Sequence, residues 1–302
     1  MRITNNMLLN NMMQSLSNNL NRTQTYFNQL SSGKKISLPS DDPIVASKAL
    51  KLRTDVAEIE QYKRNTDDAM SWMDITEAAM NQMTEVIHRM KEITNQAANG
   101  SNTQEDLDKI HEEATQLREQ IIHLGNATYA GRYIFSGFKT DKPLLNQDGT
   151  FNVPIENGEQ IKFEIGIRDD ININVPGNDL FNDGINAAEG DKSSFVDTFD
   201  KIIEAMGTDN KDELSSLLGD IDDQLGNLMR VRAGLGARMN RVELSANRID
   251  DDKVNYTRLM SLNEDVDIAE AIMKLQNEEN VYRASLATGA RVIQPSLVDF
   301  LG

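Results

Sequence analysis

The chain of 302 residues contains no cysteine and few aromatic residues, which make up 5% of the sequence. Without cysteine it can form no disulfide framework, no thiolate metal site and no thiol nucleophile. Few aromatics, together with 39% hydrophobic residues, are more typical of long helices that each bury one stripe than of a thick globular core. The composition therefore predicts a helical assembly.

Long hydrophobic runs and basic patches are also missing. No run approaches the roughly 18 apolar residues of a membrane span, and no cluster of Lys and Arg suits an anionic membrane surface. The net charge of −17 opposes binding to phosphate backbones. Residues 1–20 lack the continuous apolar core of a cleaved signal peptide. We therefore predict neither nucleic acid nor membrane as a partner, and either a cytosolic location or export without a cleaved signal.

No constellation of residues points to catalysis or to a bound metal. The stretch "HEEAT" from His111 has Thr115 where the zincin motif HExxH requires a second histidine. The acidic residues at 219–226 lack the ordered spacing and the closing glutamate of a calcium loop. We therefore predict no enzyme activity, no catalytic residue, no metal site and no cofactor.

Both ends of the chain carry heptad patterns, with apolar residues at alternating steps of four and three. The N-terminal set comprises Leu9, Met13, Leu16, Leu20, Phe27 and Leu30, with Thr23 at the remaining position. The C-terminal set comprises Ile268, Ile272, Leu275, Tyr282, Leu286 and Ile293, with Glu279 and Gly289 at the remaining positions. The N-terminal segment is rich in asparagine, a poor helix former. We therefore predict that these residues form an assembly interface and that the helices need partners.

Between the two ends, the sequence alternates between helical patterns and one different region. Helical patterns run from about Pro43 to Asn99, over 107–128, from about Ser193, and from about Asp212 onwards. Glycines 226, 234 and 236 weaken the last of these helices, so close helix packing or a local kink is expected there. The intervening region has alternating apolar segments and the turn dipeptide Asp148-Gly149, which indicates short strands.

These patterns predict a mainly α fold. It is an elongated antiparallel helical bundle or coiled-coil rod with a small β-rich insert domain at the far end. The predicted parts are paired terminal helices at 1–42 and 262–302, a helical rod at 43–130 and 191–261, and an outer insert at 131–190.

The segment "LSSGKKISLPSDDPIVASKAL" (residues 30–50) interrupts the helical pattern. Its glycine suits a helix stop, and its Asp-Pro pair suits an N-cap followed by the first helical position. It lacks the first glycine and the preceding strand of a phosphate-binding loop. We therefore predict an inter-domain joint that consists of Gly33, Pro39, Asp42 and Pro43. Lys34 and Lys35 could contact an acidic neighbouring subunit.

Three stretches resemble the bacterial flagellin family: "MRITNN", "LSSGKKISLPSDDP" and the C-terminal "LNEDVDIAEAIMKLQNEENVYRASLATGARVIQPSLVDFL". Within that family, "LPSDDP" and "AGRYIFSGFKT" are similar to the subgroup of hook-associated protein 3. Filament flagellins usually show an "SGLRIN…ADDAAG" pattern instead. The two ends that carry the resemblance cover roughly half of the chain.

The resemblance implies a structural subunit of the extracellular bacterial flagellum, exported without a cleaved signal peptide. It also implies a ring of copies of this chain at the hook–filament junction, between the other junction protein and flagellin. In such a ring the terminal helices at 1–42 and 262–302 would form an inner tube, and they would be disordered in the free subunit. An export chaperone is expected at the C-terminal helix. Filament flagellin is the alternative within the family. A soluble coiled-coil interaction protein is the alternative from another class.

Overall fold

The computed structural model describes residues 5–36, 38–99, 103–156, 158–208 and 210–293. Its helices are α1 (Asn5–Ser32), α2 (Pro43–Ala98), α3 (Gln104–Gly125), α4 (Gly177–Phe181), α5 (Ser194–Gly207), α6 (Lys211–Glu264) and α7 (Ile268–Ile293). Its strands are β1 (Thr128–Tyr129), β2 (Arg132–Tyr133), β3 (Lys162–Gly166) and β4 (Asp169–Asn172). The prediction of a mainly α fold is confirmed.

Local capping chemistry fixes several helix starts. Asp42 Oδ1 accepts hydrogen bonds from the backbone N–H groups of Ile44 at 3.0 Å and Val45 at 3.1 Å, and Pro43 is the first residue of α2. The Ser193 side chain likewise accepts a hydrogen bond from the backbone of Val196 at the start of α5. Such caps satisfy N–H groups that have no partner within the helix. The helix starts predicted at Asp42-Pro43 and near Ser193 are therefore confirmed.

The chain forms two compact units. The terminal unit comprises residues 1–58 and 252–302, and the central unit comprises residues 59–251. The terminal unit includes more residues than the predicted terminal helices, because it also contains the first part of α2 and the last part of α6. The predicted insert at 131–190 lies within the central unit rather than forming a compact unit of its own.

One hydrophobic core joins the helices of the central unit to the insert. Buried side chains of α2 contribute to it, including Met73, Met80, Met83, Ile87 and Met90. A row of buried rings continues through it, with 6.4 Å between the ring centroids of Phe135 and Phe181, 5.6 Å between Phe181 and Phe195, and 5.4 Å between Phe195 and Phe199. The insert and the helices are therefore expected to fold together.

The insert lies beside the helices, which corrects its predicted place at their far end. Helix α3 has 22 residues and is roughly 33 Å long, so it ends beside the middle of the longer α2. Tyr129 follows α3 directly and packs edge-on against Trp72 of α2, with 5.9 Å between centroids. Further along the chain, Arg238 of α6 donates to the backbone oxygens of Asn172 and Asn174, at 3.2 and 2.9 Å.

The strands of the insert are short. β3 and β4 pair in an antiparallel hairpin whose turn contains Arg168 at φ +58°. β3 lies within the alternating segment at 161–167, whereas β4 includes only the start of the alternating segment at 171–175. Leu145 and Phe151 bridge across the predicted turn Asp148-Gly149, where Gly149 has φ +85°. The remaining described part of the insert is largely irregular. It is held by backbone hydrogen bonds, such as the pair between Ile155 and Ala187, and by side-chain hydrogen bonds to the backbone, such as that from Asn126 to Leu145.

The glycines of α6 are not explained by close packing with a neighbouring helix. A Cβ atom built on Gly226 or Gly234 meets nothing within 4 Å, apart from the backbone of the helix itself. Because glycine in a helix costs about 0.5–1 kcal/mol relative to alanine, we expect Gly226→Ala and Gly234→Ala each to raise the free energy of unfolding by that amount. Urea denaturation followed by circular dichroism measures the change.

Gly177→Ala is the matched control for these two substitutions. A Cβ atom at Gly177 would lie 2.6 Å from Leu144 Cδ2 and 2.8 Å from the Phe135 carbonyl oxygen. Such overpacking costs typically 1–3 kcal/mol, so this variant is expected to be less stable. Destabilisation by Gly226→Ala as well would contradict the open environment of that position.

Candidate assembly interface

The terminal unit buries few apolar side chains. Among its described residues, the buried hydrophobic ones are three alanines: Ala46, Ala49 and Ala271. Large apolar side chains lie on its surface instead. Of the 22 large hydrophobic residues that are exposed in the described part of the chain, 16 belong to the terminal unit and 6 to the larger central unit. Fully covering one such side chain would contribute about 1.5–3 kcal/mol.

Helices α1 and α7 pack against each other through one face each, which we term the inner seam. Its members are the buried or half-buried residues Met12, Leu16, Asn19, Thr23, Tyr26 and Leu30 of α1 and Ala271, Leu275, Glu278, Tyr282, Ser285 and Gly289 of α7. On both helices the spacing alternates between four and three residues. The inner seam is therefore a coiled-coil seam between the two ends of the chain.

Polar contacts hold the inner seam together. Asn19 Nδ2 donates to Ser285 Oγ at 3.3 Å, and Arg22 Nε donates to Glu278 Oε1 at 2.9 Å. At Gly289 the helices approach so closely that a Cβ atom there would lie 2.5 Å from Met12 Cε. Small or polar residues occupy half of the seam positions, so less apolar surface is buried between α1 and α7 than in a seam of large apolar residues.

Seven of the other large side chains of α1 and α7, all of them from the predicted set, form a second face, which we term the outer stripe. It consists of Leu9, Met13, Leu20 and Phe27 on α1 and Ile268, Ile272 and Leu286 on α7, all of them exposed. Of the other predicted interface residues, Leu16, Leu30, Leu275 and Tyr282 belong to the inner seam. The side chain of Ile293 lies outside the described residues. The predicted set therefore divides into two faces with different environments.

Several seam residues were missed by the sequence analysis. Counting apolar residues selected the heptad through Leu20 and Phe27, and passed over Asn19, Glu278 and Ser285 because these are polar. The signal was nevertheless present. The same alternation of four and three passes through Met12, Leu16 and Asn19 and through their successors in the inner seam. Two overlapping heptads on one helix indicate two contact faces.

Charge is distributed unevenly between the two units. The terminal unit contains 12 basic and 12 acidic residues, whereas the central unit contains 19 basic and 36 acidic residues. The whole net charge of −17 therefore resides in the central unit. The terminal unit combines zero net charge with the exposed apolar side chains.

The predicted joint lies inside the terminal unit, and its two lysines contact the segment before α7 of the same chain. Gly33 has φ +70° directly after α1, a conformation that glycine adopts without strain. Lys34 Nζ lies 2.7 Å from Asp265 Oδ1, and Lys35 Nζ donates to the Leu262 backbone oxygen at 3.0 Å.

Pro39 and the cap of α2 complete this connection. Pro39 lies in a turn in which the Asp41 N–H donates to the Leu38 carbonyl at 3.0 Å, and the Leu38 N–H donates to Asp41 Oδ2 at 2.9 Å. Proline suits the second position of such a turn, because its φ is already fixed. Asp42 and Pro43 then start α2. The described part of the joint is therefore held by hydrogen bonds.

Electrostatics stabilise the contact between the two loops. Hydrogen bonds from Arg53 and Lys34 lower the pKa of Glu264, and hydrogen bonds from Lys34 and Ser261 lower the pKa of Asp265. A carboxylate with a lowered pKa contributes stability that is present above its ordinary pKa and lost as the pH falls through the lowered value. These contacts are therefore expected to persist at neutral pH.

Neither a metal site nor a membrane span is found in the described ranges. Over those residues, no three His, Asp or Glu side chains are arranged to hold a metal ion. The helices described here also lack the combination of length and hydropathy that crossing a bilayer requires.

Comparison with known proteins decides the family. The model for the bacterial flagellin N-terminal helical region matches residues 3–140, and the model for the bacterial flagellin C-terminal helical region matches residues 218–301. The chain belongs to the bacterial flagellin family. Its members are structural proteins of the flagellum and not enzymes. This flagellin-family chain is therefore a structural component of the flagellum that assembles with other flagellar components.

Two relatives match this flagellin-family chain along nearly its whole length. The flagellar hook-associated protein 3 of Escherichia coli K12 is 28% identical, over 94% of this chain and 95% of the relative. The flagellin of Bacillus subtilis 168 is also 28% identical, over 97% of each chain. Family membership removes the alternative of an unrelated soluble coiled-coil protein.

Solved structures show that the fold is shared. The flagellar junction protein FlgL of Legionella pneumophila matches with a TM-score of 0.56 and 17% sequence identity, over 72% of this chain and 100% of that chain. At this identity, the likeness supports the fold and the predicted mainly α architecture.

Proposed function

We propose that this chain is the structural subunit that forms a ring at the junction between hook and filament. The Escherichia coli relative is named hook-associated protein 3. The segments "LPSDDP" and "AGRYIFSGFKT" resemble the same subgroup of the family. Copies of this chain would join the other junction protein on the hook side and flagellin on the filament side.

The distribution of exposed apolar side chains carries this proposal. In its described part, the terminal unit buries no hydrophobic side chains except three alanines and exposes 16 large hydrophobic residues, so it lacks the core of an independently stable domain. The outer stripe exposes apolar side chains of both terminal helices, α1 and α7, which neighbouring subunits can contact. Copies of this chain that cover the outer stripe would supply the missing apolar burial.

The distribution of charge also favours contacts between copies through their terminal units. Central units of neighbouring copies repel each other, because each carries the full net charge of −17. Terminal units have no net charge and can approach closely. We infer that contacts between copies concentrate in the terminal units. Export to the extracellular flagellum without a cleaved signal, with a chaperone at the C-terminal helix, completes the proposal.

Filament flagellin is the second candidate function. The Bacillus subtilis flagellin matches this chain with the same identity as the hook-associated protein, and over as much of its length. The two candidates differ in position and in number of copies. A junction protein forms one ring at the end of the hook, whereas flagellin forms the whole filament.

Deletion of the gene distinguishes the two candidates. We expect the deletion strain to keep intact hooks without filaments and to release flagellin monomers into the medium, because filament subunits have no junction on which to assemble. Electron microscopy of the cells and immunoblotting of the medium measure both effects. Restoration of filaments by the intact gene is the control. Filaments that remain attached to hooks would contradict a junction role.

An antibody against the insert gives an independent test. Label at the border of hook and filament in electron micrographs supports the junction ring. Label along the entire filament supports flagellin.

A further inference from the structure

Glu264, the last residue of α6, is a buried carboxylate with two cationic partners. Its side chain is 2% exposed. Arg53 of α2 binds it in a bidentate manner, with Nε 2.6 Å from Oε1 and Nη2 2.7 Å from Oε2. Lys34, which follows α1, places Nζ 3.2 Å from Oε2. Charge-assisted bidentate pairs of this kind are strong and restrict geometry.

Backbone hydrogen bonds join the same two loops. The Lys35 N–H donates to the Glu264 carbonyl at 2.7 Å, and the Val266 N–H donates to the Gly33 carbonyl at 3.0 Å. Lys34 and Asp265 thereby form an isolated antiparallel bridge. The loop after α1 and the loop before α7 are therefore held in one register.

This cluster connects four helices at one place in the terminal unit. Arg53 belongs to α2, Lys34 follows α1, Glu264 ends α6, and α7 begins four residues later. The inner seam has polar contacts of its own, from Asn19 to Ser285 and from Arg22 to Glu278, and the Glu264 cluster adds a fixed point where α1 ends and α7 begins. Buried ion pairs contribute little net stability compared with apolar packing, and fixing a register is the best-attested use of buried polar groups.

We propose that Glu264 is a positioning residue that locks the loop after α1 to the loop before α7. The lock sets the register of α1 against α7 and so makes their outer stripes one continuous surface. This inference rests on the proposed function, because it assigns the outer stripe to contacts between copies. The lock itself is a property of the free chain and can be tested without assembly.

Glu264→Gln tests the lock with little change in volume. The substitution removes the negative charge and leaves Arg53 and Lys34 without their carboxylate. Losing a hydrogen bond to charged groups corresponds to roughly a tenfold or larger change in a local opening equilibrium. We therefore expect backbone amide exchange at Lys35 and Val266 to become about tenfold faster or more. Hydrogen exchange of the full-length monomer, read by mass spectrometry, measures this.

Glu279→Gln is the matched control. Glu279 is an exposed glutamate of α7 whose contact with Arg283 is 3.9 Å long, so its neutralisation is expected to leave both amides protected. Glu264→Asp retains the charge and is expected to restore part of the protection. Unchanged exchange within the central unit shows that each variant is folded. Assembly onto hooks should fall with Glu264→Gln and remain normal with Glu58→Gln, which neutralises an exposed glutamate of α2 that lies outside both the inner seam and the outer stripe.

The possible outcomes separate this inference from the proposed function. Equal exchange in Glu264→Gln and Glu279→Gln, or unprotected Lys35 and Val266 amides in the unmodified chain, would overturn the lock. Loss of protection without any loss of hook assembly would overturn its role in positioning the outer stripe. If the unmodified gene fails to restore filaments to the deletion strain, the junction role is contradicted. The lock is unaffected by that result, because it is measured in the free chain.

Discussion

We expect the double variant Leu20→Asp, Leu286→Asp to lose assembly by at least about 100-fold, because burying unpaired carboxylates costs several kcal/mol. Both side chains are exposed in the free chain, at 53% and 45%, so the substitutions cost little there. Assembly would bury them against neighbouring copies. Sedimentation of the purified protein under assembly conditions, and the count of filaments on cells, measure the loss.

The control for this variant is Asn18→Asp. Asn18 is an exposed residue of α1 on the face opposite Leu20, so a carboxylate there remains in solvent unless that face is also covered. Circular dichroism should show an unchanged central unit in both variants. Normal assembly of the double variant would exclude the outer stripe from the contacts between copies.

In the terminal helices, periodicity alone predicts the helices but not which of their faces contacts the other end of the chain. Heptad spacing correctly placed helices over the segments that contain Leu20 and Leu286, because a helix that buries any stripe must repeat it every 3.5 residues. Periodicity could not tell that Leu16 faces the other end of the same chain whereas Leu20 faces outward. That distinction depends on which residues α7 presents, and polar members such as Asn19 carry no hydrophobic signal.

The insert shows the opposite case. Its turns and alternating segments were predictable, since turn preferences act over a few residues. Its position was not, because the contacts that place it join distant parts of the sequence. Arg238 binds the backbone oxygen of Asn174 and Arg241 pairs with Asp169. No local pattern marks these arginines as different from others on the solvated face of a helix.

The joint was predicted as the end of one helix and the start of the next, but the lock formed by Glu264 on the loop after α1 was not predicted. Gly33 and Asp42 act locally and are recognised from residue type. Glu264 lies 211 residues from Arg53, and an isolated glutamate at the end of a helix predicts nothing about such a partner. Burial of this carboxylate is visible only after the chain ends are paired.

Phe181→Ala is expected to lower the free energy of unfolding by about 3–5 kcal/mol, because truncating a buried phenylalanine removes apolar contacts and leaves a cavity. Phe181 lies between the rings of Phe135 and Phe195. It also packs on Gly125, where an added Cβ atom would lie 2.8 Å from the Phe181 ring. Urea denaturation of the purified chain measures the change. Phe138→Ala, at an exposed position of the insert, is the control and should change stability by less than about 1 kcal/mol.

Phe181→Ala should have the opposite effects to the double variant Leu20→Asp, Leu286→Asp: it should lower stability and leave assembly intact. The Phe181 ring belongs to the central unit and the outer stripe to the terminal unit, so self-association should persist at temperatures where the central unit remains folded. Leu20→Asp with Leu286→Asp should instead abolish association and leave stability nearly unchanged. If Phe181→Ala blocked assembly while its central unit remained folded, the contacts between copies would extend into the central unit. The proposal that these contacts concentrate in the terminal units would then be wrong.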